Sequence, residues 1–507
     1  MTDSPPPAEP ASAGADDADL PEQVRIRREK YDRLMADPQR APFPPSVTRT
    51  HSLAQIRQAY PELPAGRETG QVVSVTGRII FIRNTGKLCF ATLREGGVEL
   101  QAMLSQDRVG AQALAEWKSD VDLGDQVQIT GEVISSRRGE LSVLADEWRL
   151  TAKALRPLPV AHRPMSEESR VRQRYVDLIV RPEARRMVLM RAQVLASLRA
   201  TLNGMGFVEV ETPILQSIHG GAAARPFHTH LNAFDQPMSL RIATELYLKR
   251  ALIGGIDRVF EIGKTFRNEG IDSTHSAEFT LLEAYEAYGD YRSVATWTKA
   301  LICDAARAVG VETPRTADGV EIDLSGEWRW SSIYDLVSAE TGTSVTPDTE
   351  AAELRRLAES RNVVLKPDWD AGEIVLELYE KLIEHTLIQP TYVCDYPRSV
   401  RPLARTHRGD SRLAEAWDLI IGGVEMAPGY SELADPVEQR RLLTEQSLAA
   451  AAGDPEAMQL DEDFLAALEY GMPPTGGMGL GVDRLLGLFT GRGIRETILF
   501  PLLKPLS

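Results

Sequence analysis

The stretch Arg258-Val-Phe-Glu-Ile-Gly-Lys-Thr-Phe-Arg-Asn-Glu-Gly270, followed by His275 and Glu278-Phe279, constrains this chain more than any other part of it. Val259, Phe260, Ile262 and Phe266 form one apolar extended run, and Phe279, Leu281 and Leu282 form another. Two such runs joined by a polar loop predict a β-hairpin. The loop is not a plain Asn-Gly turn. It concentrates Arg267, Glu269, Asp272 and His275 where a strand ends. A guanidinium fixed on a strand is a rigid fork for a phosphate or a carboxylate. Taken alone, the hairpin leaves a second reading open, a salt-bridged turn with no ligand.

A second segment bears on that choice. Gly476-Gly-Met-Gly-Leu-Gly-Val-Asp-Arg484 is followed by Leu485, Leu486, Leu488 and Phe489. The glycines allow close approach of backbone or ligand. The apolar spacing after them is helical, which puts Arg484 in the first turns of a helix that follows a strand. The segment lacks the Lys-Ser/Thr of a P-loop and is not a dinucleotide-binding fingerprint. A third segment, Gly206-Phe-Val-Glu-Val-Glu-Thr-Pro-Ile214, follows an amphipathic helix expected near 184–203.

In this order the three segments resemble motifs 1, 2 and 3 of the class II aminoacyl-tRNA synthetases. The resemblance is to the bacterial-type class II lysyl-tRNA synthetases and runs from about residue 20 to the C-terminus. It implies an α+β chain: an N-terminal five-stranded OB-fold β-barrel, then a catalytic domain built on an antiparallel sheet with helices.

The residue pattern agrees with that division. A chain of 507 residues should hold more than one domain. Residues 1–20 are rich in Pro, Ala and Asp and lack an apolar core, so a disordered tail is expected rather than a secretory signal. Residues 21–65 read as a helical segment, with a basic amphipathic helix over 21–36 that is either a solvated face or a grip on a tRNA backbone. Five short alternating strands between 66 and 155, with a helical stretch near 108–119, match an OB-fold. Residues 156–180, with Pro157, Pro159 and Pro164, read as a linker. The catalytic domain is expected over 181–507, with a charged helical insertion at about 320–390.

No run of about 18 apolar residues is present, so no transmembrane helix is expected. Cys89, Cys303 and Cys394 are far apart and odd in number, which fits free thiols in a reducing, cytoplasmic setting without a zinc site. A net charge of −16 argues against a wholly basic nucleic-acid binder, yet leaves room for a local basic face.

The resemblance also implies a set of roles. Arg267 would contact the α-phosphate of ATP and the substrate carboxylate, with Arg484 as its catalytic partner on the outer phosphates. Glu269 would read the adenine amino group, Phe279 would stack on the ring, and His275 would reach the outer phosphates. Asp418 and Glu425 would hold Mg²⁺. Their seven-residue spacing across Gly422-Gly423 suits two paired strands better than one helix. Carboxylate oxygens are the ligands this hard cation prefers. Gly221, Glu245, Glu283, Tyr285, Tyr430 and Glu432 would form the L-lysine pocket. A cluster of buried carboxylates calls for a cation, and lysine brings two ammonium groups. The other reading is that these acids pair with Arg241 and Arg250. Arg78, Phe90 and Glu147 fall at the anticodon-reading positions of the family. The expected partners are tRNA(Lys), ATP, L-lysine and a second copy of the chain.

The sequence departs from the family pattern at Pro428, where Asn or Thr is usual, which removes a hydrogen-bond donor. Asp418 replaces a commoner Glu. Three rival readings are a lysyl-adenylate-forming paralogue with another acceptor, a non-catalytic RNA binder on the same scaffold, and an aspartate or asparagine enzyme. The last would require basic groups where this chain has Glu283 and Glu432.

Overall fold

The computed structural model describes residues 21–159, 165–272, 275–451 and 459–505; the tail expected over 1–20 lies outside them. The chain divides into two compact units, 1–185 and 186–507. Among the described residues the strands form a closed five-stranded barrel, an eight-stranded sheet and a three-stranded sheet.

The first unit opens with helices Glu22–Met35 and Leu53–Ala59. The second of these starts at a capping box in which Ser52 and Gln55 satisfy each other's backbone amides. The barrel strands are Glu68–Thr85, Leu88–Glu95, Val98–Ser105, Gln126–Ser135 and Leu141–Ala152. Alternation puts Val73, Val75, Cys89, Ala91, Leu93, Val127 and Ile129 inside, around Trp117 from the helix Ala111–Asp120. Gly131 must be glycine, because a Cβ there would lie 2.0 Å from the Leu144 carbonyl oxygen. The segment read as a linker, 156–180, is not all irregular: it contains helices Glu167–Arg172 and Arg174–Val180. Pro-rich composition marked its first half, while the helical turns after Ser166 are started by that serine's side chain, which accepts from the Ser169 amide.

The second unit is built on the eight-stranded sheet. Its order is Arg329–Ser332, Thr391–Cys394, Ala416–Ile421, Val424–Ser431, Thr475–Gly481, Glu278–Ala287, Arg258–Phe266 and Val208–Glu209. All neighbours are antiparallel except the two outermost pairs. The opening hairpin, the glycine-rich segment and the Asp418/Glu425 segment therefore lie side by side at the centre. Along Glu278–Ala287 the side chains alternate. Leu282 and Ala284 enter the core against helices Tyr291–Ala308 and Val482–Thr490, while Phe279, Leu281, Glu283 and Tyr285 face the open side.

The expected insertion shares an apolar cluster with the sheet strands that carry Val393, Ala416 and Ile420. Helices Ile333–Thr341, Ala351–Ser360 and Ala371–Leu382 pack Ile333, Val337, Leu354, Ile374 and Leu378 together. The last helix starts at a capping box between Asp370 and Glu373.

Candidate active site

The central strands floor a cavity of about 440 Å³. Its wall includes Gly221, Glu245, Arg267, Glu269, His275, Phe279, Glu283, Tyr285, Asp418, Glu425, Pro428, Tyr430 and Arg484. Residues spread over more than 260 sequence positions thus meet in one place, because four antiparallel strand pairs bring most of them side by side.

At one end sit the groups expected to bind nucleotide. The Arg267 guanidinium lies 5.3 Å from the Phe279 ring centroid, which stiffens both side chains. Burial pulls the ionisation of Arg267 down, and the nearby carboxylates of Glu269, Glu283 and Glu425 oppose that pull. Glu269 accepts from the Arg225 amide at 3.1 Å, and the Asn268 amide donates to the Arg225 carbonyl at 2.7 Å. These two bonds tie the hairpin loop to the small-residue loop at 220–227. His275 Nδ1 lies 2.9 Å from Asp272 Oδ2, and its Nε2 lies 3.4 Å from Arg484 Nη2. A proton on Nδ1 satisfies both contacts. Arg484 also donates to the Glu425 carbonyl oxygen at 2.8 Å.

Asp418 and Glu425 stand on paired strands joined at Gly422-Gly423, both of which have positive φ. A Cβ on Gly423 would lie 2.6 Å from the His385 carbonyl oxygen, so only glycine fits. A register shift after Leu419 leaves Met426 extra, and both Glu425 and Met426 reach the cavity. Asp418 is buried, and burial pushes its carboxyl above the ordinary range. Its Oδ2 accepts from Arg401, whose guanidinium also lies 4.2 Å from the Tyr396 ring centroid. Its Oδ1 is buried without a hydrogen-bond partner. That orphaned hard oxygen, beside Glu425, fits a divalent cation completed by phosphate oxygens. Among the described residues no three His, Cys, Asp or Glu side chains converge as a cage for a metal.

At the other end lie the acids. Glu283 is buried; its Oε1 accepts from the Thr244 amide at 3.1 Å and its Oε2 from the Tyr285 hydroxyl at 3.3 Å. Burial, reinforced by the Glu245 charge, pushes its carboxyl up to about 7. Gly221, at φ +88°, brings its backbone against Glu245: a Cβ would lie 3.1 Å from the Cβ atoms of Ala243 and Glu245. Tyr430 also lines the cavity and pairs in register with Gly477.

The rival pairing of these acids can be set against the structure, as can the position of Glu432. Arg241 and Arg250 do not neutralise these acids. Arg241 pairs with Glu261 at 2.5 Å, and Arg250 with Asp461 and Asp463. Among the described residues Glu245 and Glu432 pair with Lys249, which is fully buried, 2.6 Å from Glu245 and 2.5 Å from Glu432. Glu432 itself does not line the main cavity. It stands behind the wall, facing a second cavity of about 350 Å³.

The structure also adds residues that the sequence reading missed. Leu376, Tyr379, Glu380 and Glu384 reach the cavity from the inserted segment, and Arg401 from the loop after it. Burial and the Glu425 charge push Glu384 up to about 7. The helical spacing of Tyr379 and Glu380 held no signal of this, because the insertion's placement over the sheet is set by strand order. Lys249 had a signal that went unused: it lies four residues after Glu245, one helical turn away.

In the first unit, Phe90 points away from the barrel core and stands in register with exposed Arg83, while Glu147 is exposed. An aromatic beside a cation on an open strand face suits a stacked base and its phosphate. Arg78 is half-buried and donates to the Gly124 carbonyl oxygen at 2.7 Å.

Comparison with known proteins places these features in a family. Residues 166–504 match the family of tRNA synthetases class II (D, K and N), and residues 73–151 match the OB-fold nucleic acid binding domain. The chain is 57% identical to a lysine–tRNA ligase of Kineococcus radiotolerans, over 96% of this chain and 98% of that protein. It is 54% identical to a lysine–tRNA ligase of Mycobacterium bovis, with the same coverage. It is also 50% identical to a lysylphosphatidylglycerol biosynthesis bifunctional protein of Nocardia farcinica, of which the match covers 43%.

Proposed function

This chain belongs to the class II tRNA synthetases of the D, K and N group, and from that premise we propose that its main cavity joins L-lysine to ATP. The products are lysyl-adenylate and diphosphate; the lysyl group then passes to the 3′ end of tRNA(Lys), releasing AMP. The observation that carries the choice of lysine is the chemistry of the cavity end. It presents Glu245, Glu283 and Tyr285, where an aspartate or asparagine side chain would call for basic groups.

The reaction needs no protein nucleophile. The substrate carboxylate attacks the α-phosphorus, so the chain's work is alignment and charge neutralisation. Arg267 stands within reach of the charges of Glu269, Glu283 and Glu425 together and serves both reacting groups. Phe279 stacks on adenine, Glu269 accepts from its amino group, and His275 and Arg484 hold the outer phosphates. Gly221 and Glu245 take the α-amino end, while Glu283, Tyr285 and Tyr430 define the side-chain end, with Glu432 paired to Lys249 behind them. Asp418 Oδ1 and Glu425 would hold Mg²⁺, which when bound neutralises phosphate charge. Phe90, Glu147 and Arg78 read the anticodon on the barrel.

Two further features belong to this reading. The helix Pro182–Gly204 and the segment after it expose Leu189, Val208, Ile214 and Leu215, which supports a homodimer across this face. Among the described residues no helix is long and apolar enough to cross a membrane. Cys89, Cys303 and Cys394 are all free, as a cytoplasmic setting would leave them.

The test is charging of purified tRNA bearing a lysine anticodon with radiolabelled lysine. Acid-stable label on the tRNA supports the reading. Lysine-dependent diphosphate exchange without tRNA charging would refute the second step.

A further inference from the structure

Lys249 has no place in the set of roles above, yet its surroundings are unusual. It is fully buried within helix Glu245–Ile253. Its Nζ lies 2.6 Å from Glu245 Oε1, on its own helix, and 2.5 Å from Glu432 Oε2, one residue past the strand Val424–Ser431. An unpaired buried ammonium is costly, and so are two unpaired buried carboxylates. Desolvation pulls Lys249 down, but the two carboxylates outweigh it and hold the side chain charged. Glu432 has Oε1 without a hydrogen-bond partner, packed where a Cβ on Gly477 would lie 2.3 Å away. Glu245 in turn adjoins Glu283 through Thr244, whose amide donates to Glu283 Oε1.

Resting on the lysine reading of this cavity, we propose that Lys249 is a positioning residue that sets the charge of the amino-acid pocket. Glu245, Glu283 and Glu432 carry three negative charges when ionised, and Lys249 cancels one. The two that remain match the α- and ε-ammonium groups of lysine, while Arg267 answers its carboxylate. Lys249 also braces Glu245, on the cavity wall, against Glu432 behind it. The carboxylate of Glu245 is thereby aimed before substrate arrives.

The experiment uses the full chain and the variants Lys249→Met and Lys249→Arg, each checked for folding by circular dichroism. Lysine- and ATP-dependent diphosphate exchange gives separate KM values. Calorimetry in two buffers of different ionisation enthalpy gives the protons released per lysine bound. Without Lys249, the crowded acids should take up an extra proton in the empty pocket and release it on binding lysine. The expected result for K249M is a lysine KM raised roughly tenfold or more, the size of a lost charged interaction. Its ATP KM should stay within about twofold of the unaltered chain, and its proton release should increase toward one more per lysine. K249R keeps the charge, so its proton count should equal that of the unaltered chain.

A folded K249M with an unchanged lysine KM and proton count would overturn the proposal. So would equal increases in lysine and ATP KM at an unchanged proton count, the signature of a merely structural residue. If K249M does not fold, K249R decides: an altered proton count refutes the charge-setting role and an unaltered one supports it. If the unaltered chain shows no lysine-dependent exchange, the functional reading falls and the proposal with it. Exchange by the unaltered chain with indifference to Lys249 removes the proposal alone.

Discussion

Glu283→Gln should make the protein more stable at alkaline pH while disabling its use of lysine. Glu283 is 4% exposed, and its carboxyl stands at about 7 against an ordinary 4.5. Each pH unit of such a displacement corresponds to about 1.4 kcal/mol, so the buried carboxylate costs on the order of 3 kcal/mol once ionised. The sign follows from the raised value. Below about pH 4.5 the acid is neutral in both folded and unfolded chains, and Glu and Gln variants should be equally stable. As pH rises through about 7 the wild-type protein progressively loses that increment. Gln retains an acceptor for the Thr244 amide and carries no charge. Thermal melts followed by circular dichroism should therefore show the variant about 5 °C above wild type at pH 8, and level with it near pH 4.5. Lysine-dependent exchange should require a lysine concentration roughly tenfold higher or more, since one charged contact is gone. No gain in melting temperature at pH 8, or an equal gain at both pH values, would refute the burial argument.

Other substitutions probe the remaining walls of the cavity. Gly477→Ala would place a Cβ 2.4 Å from the Tyr285 ring and 2.3 Å from Glu432. Overpacking of about 1–3 kcal/mol should raise the lysine KM in exchange assays and leave the ATP KM within about twofold. Phe279→Ala should raise the ATP KM roughly fivefold to tenfold by removing a stacking face, with the lysine KM unchanged. Pro428→Asn restores a side-chain donor on the wall beside Tyr430 and should lower the lysine KM; an unchanged or higher value would count against a missing hydrogen bond.

Much of this architecture was legible because it is local. Alternation in Glu278–Ala287 assigns Phe279 and Glu283 to one face, and two glycines between Asp418 and Glu425 mark a strand-to-strand turn. The barrel is equally readable, since the middle of each strand alternates between buried and more exposed positions. What was not legible depends on contacts between distant segments. Helix capping at Ser166 is a local signal, but it was masked by the prolines that precede it. The approach of Glu380, Glu384 and Arg401 to the cavity depends on how the inserted helices settle on the sheet, which no periodicity encodes. Lys249 shows the same limit from another side. Its spacing from Glu245 is helical, but only the fold reveals Glu432 on its far side. The charge of the pocket is thus set partly by a residue outside its wall.

The alignment of lysine and ATP across Arg267 is tested most directly by diphosphate exchange with the purified chain and its Arg267→Ala variant, using lysine, aspartate and asparagine in parallel. The account predicts exchange with lysine alone and its loss in the folded variant. Exchange driven by aspartate or asparagine, or substantial lysine-dependent exchange without Arg267, would contradict it.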